Sequence, residues 1–173
     1  MDDVDGPVGI RLLTADDEAE LLAFERDNRA FFARSIDDRG DAFFDGFADR
    51  HRSLLTENEA GTCLMFVVRD RAGRVVGRVN LVDLANGSAE LGYRIGEASS
   101  GVGYARAAVS LALRLAADRG LSQVTAMTTA GNVASVRVLE ASGFERLADE
   151  APAELEVAGR LQQIVRFVHR LRR

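Results

Sequence analysis

The stretch E-L-G-Y-R-I-G-E-A-S-S-G-V-G-Y-A, residues 90–105, constrains this chain more than any other. It opens with an alternating pattern that predicts a strand over 89–95. It then passes through a loop bearing Gly96, Gly101 and Gly103, and enters a run over 104–119 with helical spacing of its apolar residues. Gly101 and Gly103 let the backbone come close to a ligand without interference from a Cβ. The amides around Gly101 to Arg106 lie where a helix begins and have no acceptor within it. Together with the helix dipole they form a site for phosphate oxygens.

Such a loop needs no lysine, and this chain has none: all 22 of its basic side chains are arginine. A P-loop of the form G-x-x-x-x-G-K-[ST] is therefore excluded, and so is a Schiff-base lysine. A dinucleotide fingerprint G-x-G-x-x-G would require glycine or alanine at Arg106. It would also require an acid after a second strand, whereas Asp118 still falls within the helical run.

Other chemistries are excluded by scarcity. The two histidines, His51 and His169, form no H-x-x-x-H pair, so a zincin site is absent and no metal site is expected. Cys63 is the single cysteine, which excludes an intrachain disulfide and a C-x-x-C redox pair. A length of 173 residues, with 47% hydrophobic and 28% charged, predicts one globular domain over 1–173. No apolar run approaches the length of a membrane span, and the stretch from Met1 to Gly9 lacks the basic and apolar regions of a signal peptide. A soluble cytoplasmic protein is the expectation.

The net charge of −5 disfavours nonspecific nucleic-acid binding. It is unevenly spread: residues 1–60 carry a net −9 and residues 61–147 a net +3. Two meanings are open. The acids solvate two N-terminal helices, or the acidic front half faces a cation while the mildly basic middle faces an anion.

Along the chain the pattern predicts a strand at 10–13 and a helix over 15–28, with Thr14 and Asp17 placed as a near capping box. A bend over 30–36 follows, then a helix over 42–55 that contains the unfavourable Gly46. Strands over 62–69 and 75–82 form a hairpin, and Asn86-Gly87 turns the chain into the strand at 89–95. After the helix at 104–119, closed by Gly120, come a strand at 122–127, a short helix at 132–141 closed by Gly143, and strands at 144–147 and 161–171. The expected architecture is α/β (α+β), a mixed sheet of about seven strands with helices on both faces.

Residues 100–105, S-G-V-G-Y-A, resemble the acyl-CoA loop [QR]-x-x-G-x-[GA] of the GNAT N-acetyltransferases, with Ser100 departing from its first position. Downstream, N132-V-A-S-V-R-V-L-E-A-S-G-F144 resembles the N-x-x-S…L-E-x-x-G-F segment of the RimJ/RimL-like branch. The strand E-L-G-Y-R-I and the opening I-R-L-L-T-A-D-D are also similar to that branch, so the resemblance spans nearly the whole chain. It implies a GNAT fold with a mostly antiparallel sheet, and transfer of an acyl group, most often acetyl, from acyl-CoA to a primary amine. The acceptor it implies is a protein N-terminus or a small cationic amine, whose nitrogen attacks the thioester directly in a ternary complex. It leaves a homodimer open, and implies no membrane or nucleic-acid partner. A non-catalytic CoA-binding or partner-recognition module on the same fold is the alternative, kept alive by Ser100.

The resemblance places the cofactor against the backbone of Tyr93, Arg94 and Ile95. It adds the loop Gly101, Val102, Gly103, Tyr104, Ala105 and Arg106, and the Asn132 amide. Asn132 also suits a helix N-cap. Glu90 is the first candidate for the general base, with Glu154 and then Glu156 next; Ser135 is the candidate proton donor to the leaving thiolate. Cys63 lies too far from the loop in sequence to act as a nucleophile. His51 is expected to face solvent. Phe31, Phe32, Phe43 and Phe44 are expected to serve the core more than an acceptor pocket.

Overall fold

A computed structural model describes residues 6–148, 153–157 and 159–171. Met1 to Asp5, part of the N-terminal stretch considered above, lie outside the described residues.

The strand predicted over 62–69 is observed as Leu64–Asp70 and is almost wholly buried. Alternation divides it between two cores. Leu64, Phe66 and Val68 point to one side of the sheet, while Met65 and Val67 point to the other. Apolar residues on both faces demand a helical layer on each side.

In chain order the elements are β1 (Val8–Leu12), α1 (Glu18–Asp27), α2 (Arg29–Phe32), α3 (Asp41–Asp45), α4 (Phe47–Ala60), β2 (Leu64–Asp70), β3 (Val75–Ala85) and β4 (Ser88–Ile95). They continue with α5 (Tyr104–Asp118), β5 (Gln123–Thr129), α6 (Val133–Ala141), β6 (Glu145–Arg146), β7 (Glu154–Val157) and β8 (Arg160–Arg170). The main sheet runs β1-β2-β3-β4-β5-β8-β6, with β7 pairing β8. Every pairing is antiparallel except β4 with β5. One face carries Leu21 of α1 and Phe47 and Leu54 of α4. The other carries Ala108, Val109, Leu111 and Ala112 of α5 with Val136 and Leu139 of α6. No helix among the described residues is long and apolar enough to cross a membrane.

The mixed α/β sheet matches expectation, with four differences. The first helix begins after a single tight turn at Ala15–Asp17, fixed by the Asp17 carboxylate accepting from the Thr14 amide at 2.8 Å and hydroxyl at 2.9 Å. The bend expected over 30–36 starts as a short helix, α2. The helix expected over 42–55 is broken at Gly46 into α3 and α4, and α4 then runs on to Ala60, where Gly61 closes it at φ 71. An eighth strand, β7, forms a hairpin with the start of β8.

The turn between β3 and β4 is as expected: Asn86 and Gly87 both take positive φ, 52 and 74, matching the twist of the strands they join.

Candidate active site

Beyond Leu91 the two central strands part. The pairing of β4 with β5 ends at Leu91 with Ala126. On its other edge β4 stays paired to β3 as far as Ile95, and β5 stays paired to β8 as far as Thr129. Residues 92–95 and 127–129 therefore form the arms of a fork. Among the described residues no strand lies between their facing edges, and the edge of β4 over 92–95 is open to an extended ligand.

Above the fork lies the glycine loop. Gly101 and Gly103 both adopt left-handed conformations, φ 79 and 87, which L side chains reach only with strain. An added Cβ at either would meet open space, so the conformation, not crowding, requires glycine. Gly103 caps α5, and the first amide of the helix to find a backbone acceptor is Ala107, donating to the Gly103 carbonyl at 3.1 Å. Among the described residues, no backbone acceptor serves the amides of residues 101–106. Val102 is 60% exposed at the tip of this cradle, and Arg106 is also exposed. Ser100, the departure from the family pattern, donates its hydroxyl to the Gly96 carbonyl at 3.0 Å and so braces the loop from within.

Tyr93 and Ser135 meet across the fork. Tyr93 belongs to β4 beyond the last pair with β5, and Ser135 to the first turn of α6, the helix that follows β5. Their hydroxyls are 3.0 Å apart, and the tyrosine hydroxyl also donates to the Ser135 carbonyl at 3.3 Å. Burial raises the Tyr93 pKa above its ordinary value, against a smaller opposing effect of the Ser135 bond. Asn132 caps α6: its Oδ1 accepts from the Ser135 amide at 3.2 Å. Tyr93, Asn132 and Ser135 are thus brought together.

Glu90 stands apart from that group. Alternation sends Glu90, Gly92 and Arg94 to the α1–α4 face of β4, while Leu91, Tyr93 and Ile95 pack on the α5 side. Glu90 is exposed and pairs in register with Val82 and Thr125, one residue before the fork opens. Above Gly92 a Cβ would meet nothing within 4 Å, so the face beside Glu90 is open. Glu154 and Glu156 are exposed on β7, across from Gln163 and Leu161 of β8. Nothing in the structure joins them to Glu90 or Ser135.

The sequence did not draw attention to a buried charge cluster on this face. Glu25 of α1, 2% exposed, accepts from Arg78 at 2.8 Å and from Arg94 at 3.0 Å. Burial opposes its ionisation, but Arg94 and Arg78 together outweigh it and hold its pKa below the ordinary value. Arg78 and Arg94 are cross-strand partners, and Arg94 also lies 4.9 Å from the centre of the Phe32 ring. The signal available in sequence was an arginine and an asparagine, Arg78 and Asn80, inside the otherwise apolar run of β3. Asn80 pairs in register with Gly92, and its Oδ1 is buried without a hydrogen-bond partner among the described residues.

Phe32 and Phe44 are buried, and they line a cleft together with Glu25, Arg29, Arg39 and Arg94. They are core residues that also wall the site. His51 is 2% exposed, not solvent-facing; a ring nitrogen lies 2.8 Å from the Thr14 carbonyl, anchoring α4 to the start of α1. Cys63 is buried on the α4 side, and burial followed by Glu57 pushes its thiol up to about 11. That places it outside nucleophilic chemistry.

A parallel–antiparallel sheet that forks beside unpaired helix-N-terminal amides defines a class of acyl-group transferases built on this fold. Residues 8–145 match the family described as Acetyltransferase (GNAT) domain. The chain belongs to the GNAT acetyltransferase family and is an N-acetyltransferase of that type.

A search of curated protein sequences finds no match. Among solved structures the chain is similar to the ribosomal-protein-S5-alanine acetyltransferase from Vibrio fischeri, with 22% identity, a TM-score of 0.89, and 99% and 97% of the two chains covered. It is similar to RimL, the ribosomal L7/L12 alpha-N-protein acetyltransferase, solved with coenzyme A, at 16% identity and a TM-score of 0.86 over 97% and 96% of the chains. It is also similar to spermidine N-acetyltransferase from Vibrio cholerae, solved with CoA and spermine, at 20% identity and a TM-score of 0.80 over 96% and 97%. The RimJ/RimL-like resemblance read in the sequence agrees with these matches. At such identities they describe the fold.

Proposed function

We propose that this chain transfers an acetyl group from acetyl-CoA to a primary amine by direct attack in a ternary complex. The observation that carries the proposal is the meeting of two open features at one place: the forked edge of β4 and the unpaired amides of residues 101–106. The amides suit a pyrophosphate, because they are oriented donors at the positive end of a helix dipole. The edge over Tyr93, Arg94 and Ile95 suits the amide-bearing pantetheine arm, which pairs as a peptide strand does. The loop from Gly101 to Arg106 and Asn132 complete the proposed cofactor contacts. Solved neighbours that hold CoA on the same fold support this placement.

Laid along that edge, the thioester would come beside Tyr93 and Ser135. The protein then has four tasks: to align the amine, polarise the carbonyl, take a proton and give one to the departing sulfur. Ser135 is the proposed donor to the thiolate, with the Tyr93 hydroxyl held against it. Because burial raises the Tyr93 pKa, that hydroxyl stays protonated near neutral pH and can resupply the serine. The amine arrives on the open ground above Gly92. Glu90, next on that face, is the proposed base, directly or through water. Deprotonating a lysine-like amine at pH 7 costs roughly 4–5 kcal/mol, against about 1 kcal/mol for an α-amine. Glu154 is a second candidate base, dependent on the acceptor spanning from β7.

Calorimetric titration with acetyl-CoA, CoA and NAD tests the site. Binding of both CoA species and not NAD is expected; no heat from either CoA species would overturn the proposal.

A further inference from the structure

The acidic front half of the sequence does not make the acceptor site acidic. Several of its carboxylates are paired with arginines. Asp17 pairs with Arg11 and Arg69, and Glu20 with Arg69. Asp38 and Asp41 pair with Arg29, and Glu25 with Arg78 and Arg94. On the face beside β4 the guanidiniums of Arg94, Arg39 and Arg50 come near one another. Glu25 is one carboxylate shared by two guanidiniums. Arg39 and Arg50 lie over the Phe43 ring, at 4.4 and 5.9 Å from its centre, and Arg39 also lines the cleft. Asp37 and Asp38 also line the cleft, both exposed. Much of Arg39 is open to solvent, but its guanidinium is drawn toward the cleft. Desolvation and then the neighbouring Arg94 hold it down at about 10, which marks positive charge without full compensation.

On β4 this charge has an order. Glu90, the open place over Gly92, and Arg94 follow one another on one face, so acid and base stand roughly 13 Å apart at the backbone with room between them. We propose that the acceptor is a primary amine carrying an anionic oxygen group, its amine over Gly92 toward Glu90 and its anion toward Arg94, Arg39 and Arg50. This rests on the amine-acetylation proposal above and names its substrate class. A polyamine would meet repulsion from the same arginines. Guanidinium pairs with carboxylate give strong, directional, charge-assisted bonds, so an uncharged isostere should be discriminated against.

The test uses matched pairs as probes, on the full chain. In the peptide arm, Asp-Ala-amide is compared with Asn-Ala-amide. In the small-molecule arm, glutamic acid α-amide, whose one anion is the side-chain carboxylate, is compared with glutaminamide, and spermidine is the cationic control. In at least one arm the carboxylate member should have a kcat/KM about tenfold or more above its amide partner. The arm with the larger gap identifies a protein N-terminus or a small molecule as the source. Arg39→Gln should narrow the gap to less than about threefold. A second readout needs no turnover: calorimetry of N-acetyl-aspartic acid α-amide against N-acetyl-asparagine amide on the CoA-loaded protein, where the carboxylate should bind more tightly. Equal use and equal binding of both members, or a preference for spermidine, would overturn the proposal while leaving acetyl transfer intact. Preferential carboxylate binding without any transfer would uphold the anion site and overturn the enzymatic proposal instead.

Discussion

The Tyr93 hydroxyl lies 3.0 Å from the Ser135 hydroxyl, joining the strand on one arm of the fork to the helix that follows the other. If the pair protonates the departing thiolate, Ser135→Ala should lower kcat by roughly 10²-fold with little change in CoA affinity. Tyr93→Phe should lower it less, and the double variant should fall short of the product of the two effects, as expected for groups that act together. Steady-state kinetics beside CoA calorimetry separates the two quantities. A Ser135→Ala enzyme with unchanged kcat would make Ser135 a structural residue.

Gly103→Val should abolish measurable CoA binding while the fold persists. The residue caps α5 at φ 87, where a β-branched side chain costs roughly 1–2 kcal/mol locally. Relief of that strain would turn the amides of residues 101–106 out of line. Calorimetry and circular dichroism on the same sample check both parts. Wild-type affinity in the variant would contradict the phosphate cradle.

Glu25→Gln should destabilise the fold by about 3 kcal/mol, since it strands the buried Arg78 beside its cross-strand partner Arg94. Urea unfolding measures the loss. Adding Arg78→Met should recover part of it, because the more buried of the two stranded guanidiniums is then gone.

Asp17 provides a pH prediction. Burial disfavours its charge, yet hydrogen bonds from Arg11, Thr14 and Arg69 hold the carboxyl at about 2, below the ordinary 3.8. A lowered pKa means that its contribution is complete above about pH 4 and is lost as pH falls through 2. Allowing for solvent screening of the partly exposed arginines, the contribution is about 1–2 kcal/mol. Asp17→Asn should be less stable than wild type at pH 7, and the two should converge near pH 2. A constant difference across that range would show that the charge is not responsible.

What was legible in the sequence is what local pattern controls. Alternation gave β2, β3 and β4; Asn86-Gly87 gave the hairpin; Gly101 and Gly103 announced the loop before α5. The break at Gly46 was signalled by the residue itself, but its consequence, two helices in place of one, depends on how α3 and α4 pack Phe43, Phe44 and Phe47 together. His51 was misplaced because helical periodicity did not reveal that the Thr14 carbonyl would need a partner. The charged side of the site was hidden for a similar reason. Arg78 and Glu25 are 53 positions apart, and only the sheet and α1 bring them within 2.8 Å. Segment charge could not show which front-half carboxylates would be paired; Asp17, Glu20 and Glu25 meet arginines of later strands.

The most direct test of acetyl transfer is mass spectrometry of the protein and of an amine panel after incubation with isotopically labelled acetyl-CoA. Labelled acetyl on the amine nitrogen, released CoA in equal amount, and no acetylated protein intermediate when the amine is omitted are expected. Tight acetyl-CoA binding with no label on any amine would contradict the account and leave a CoA-binding module in its place.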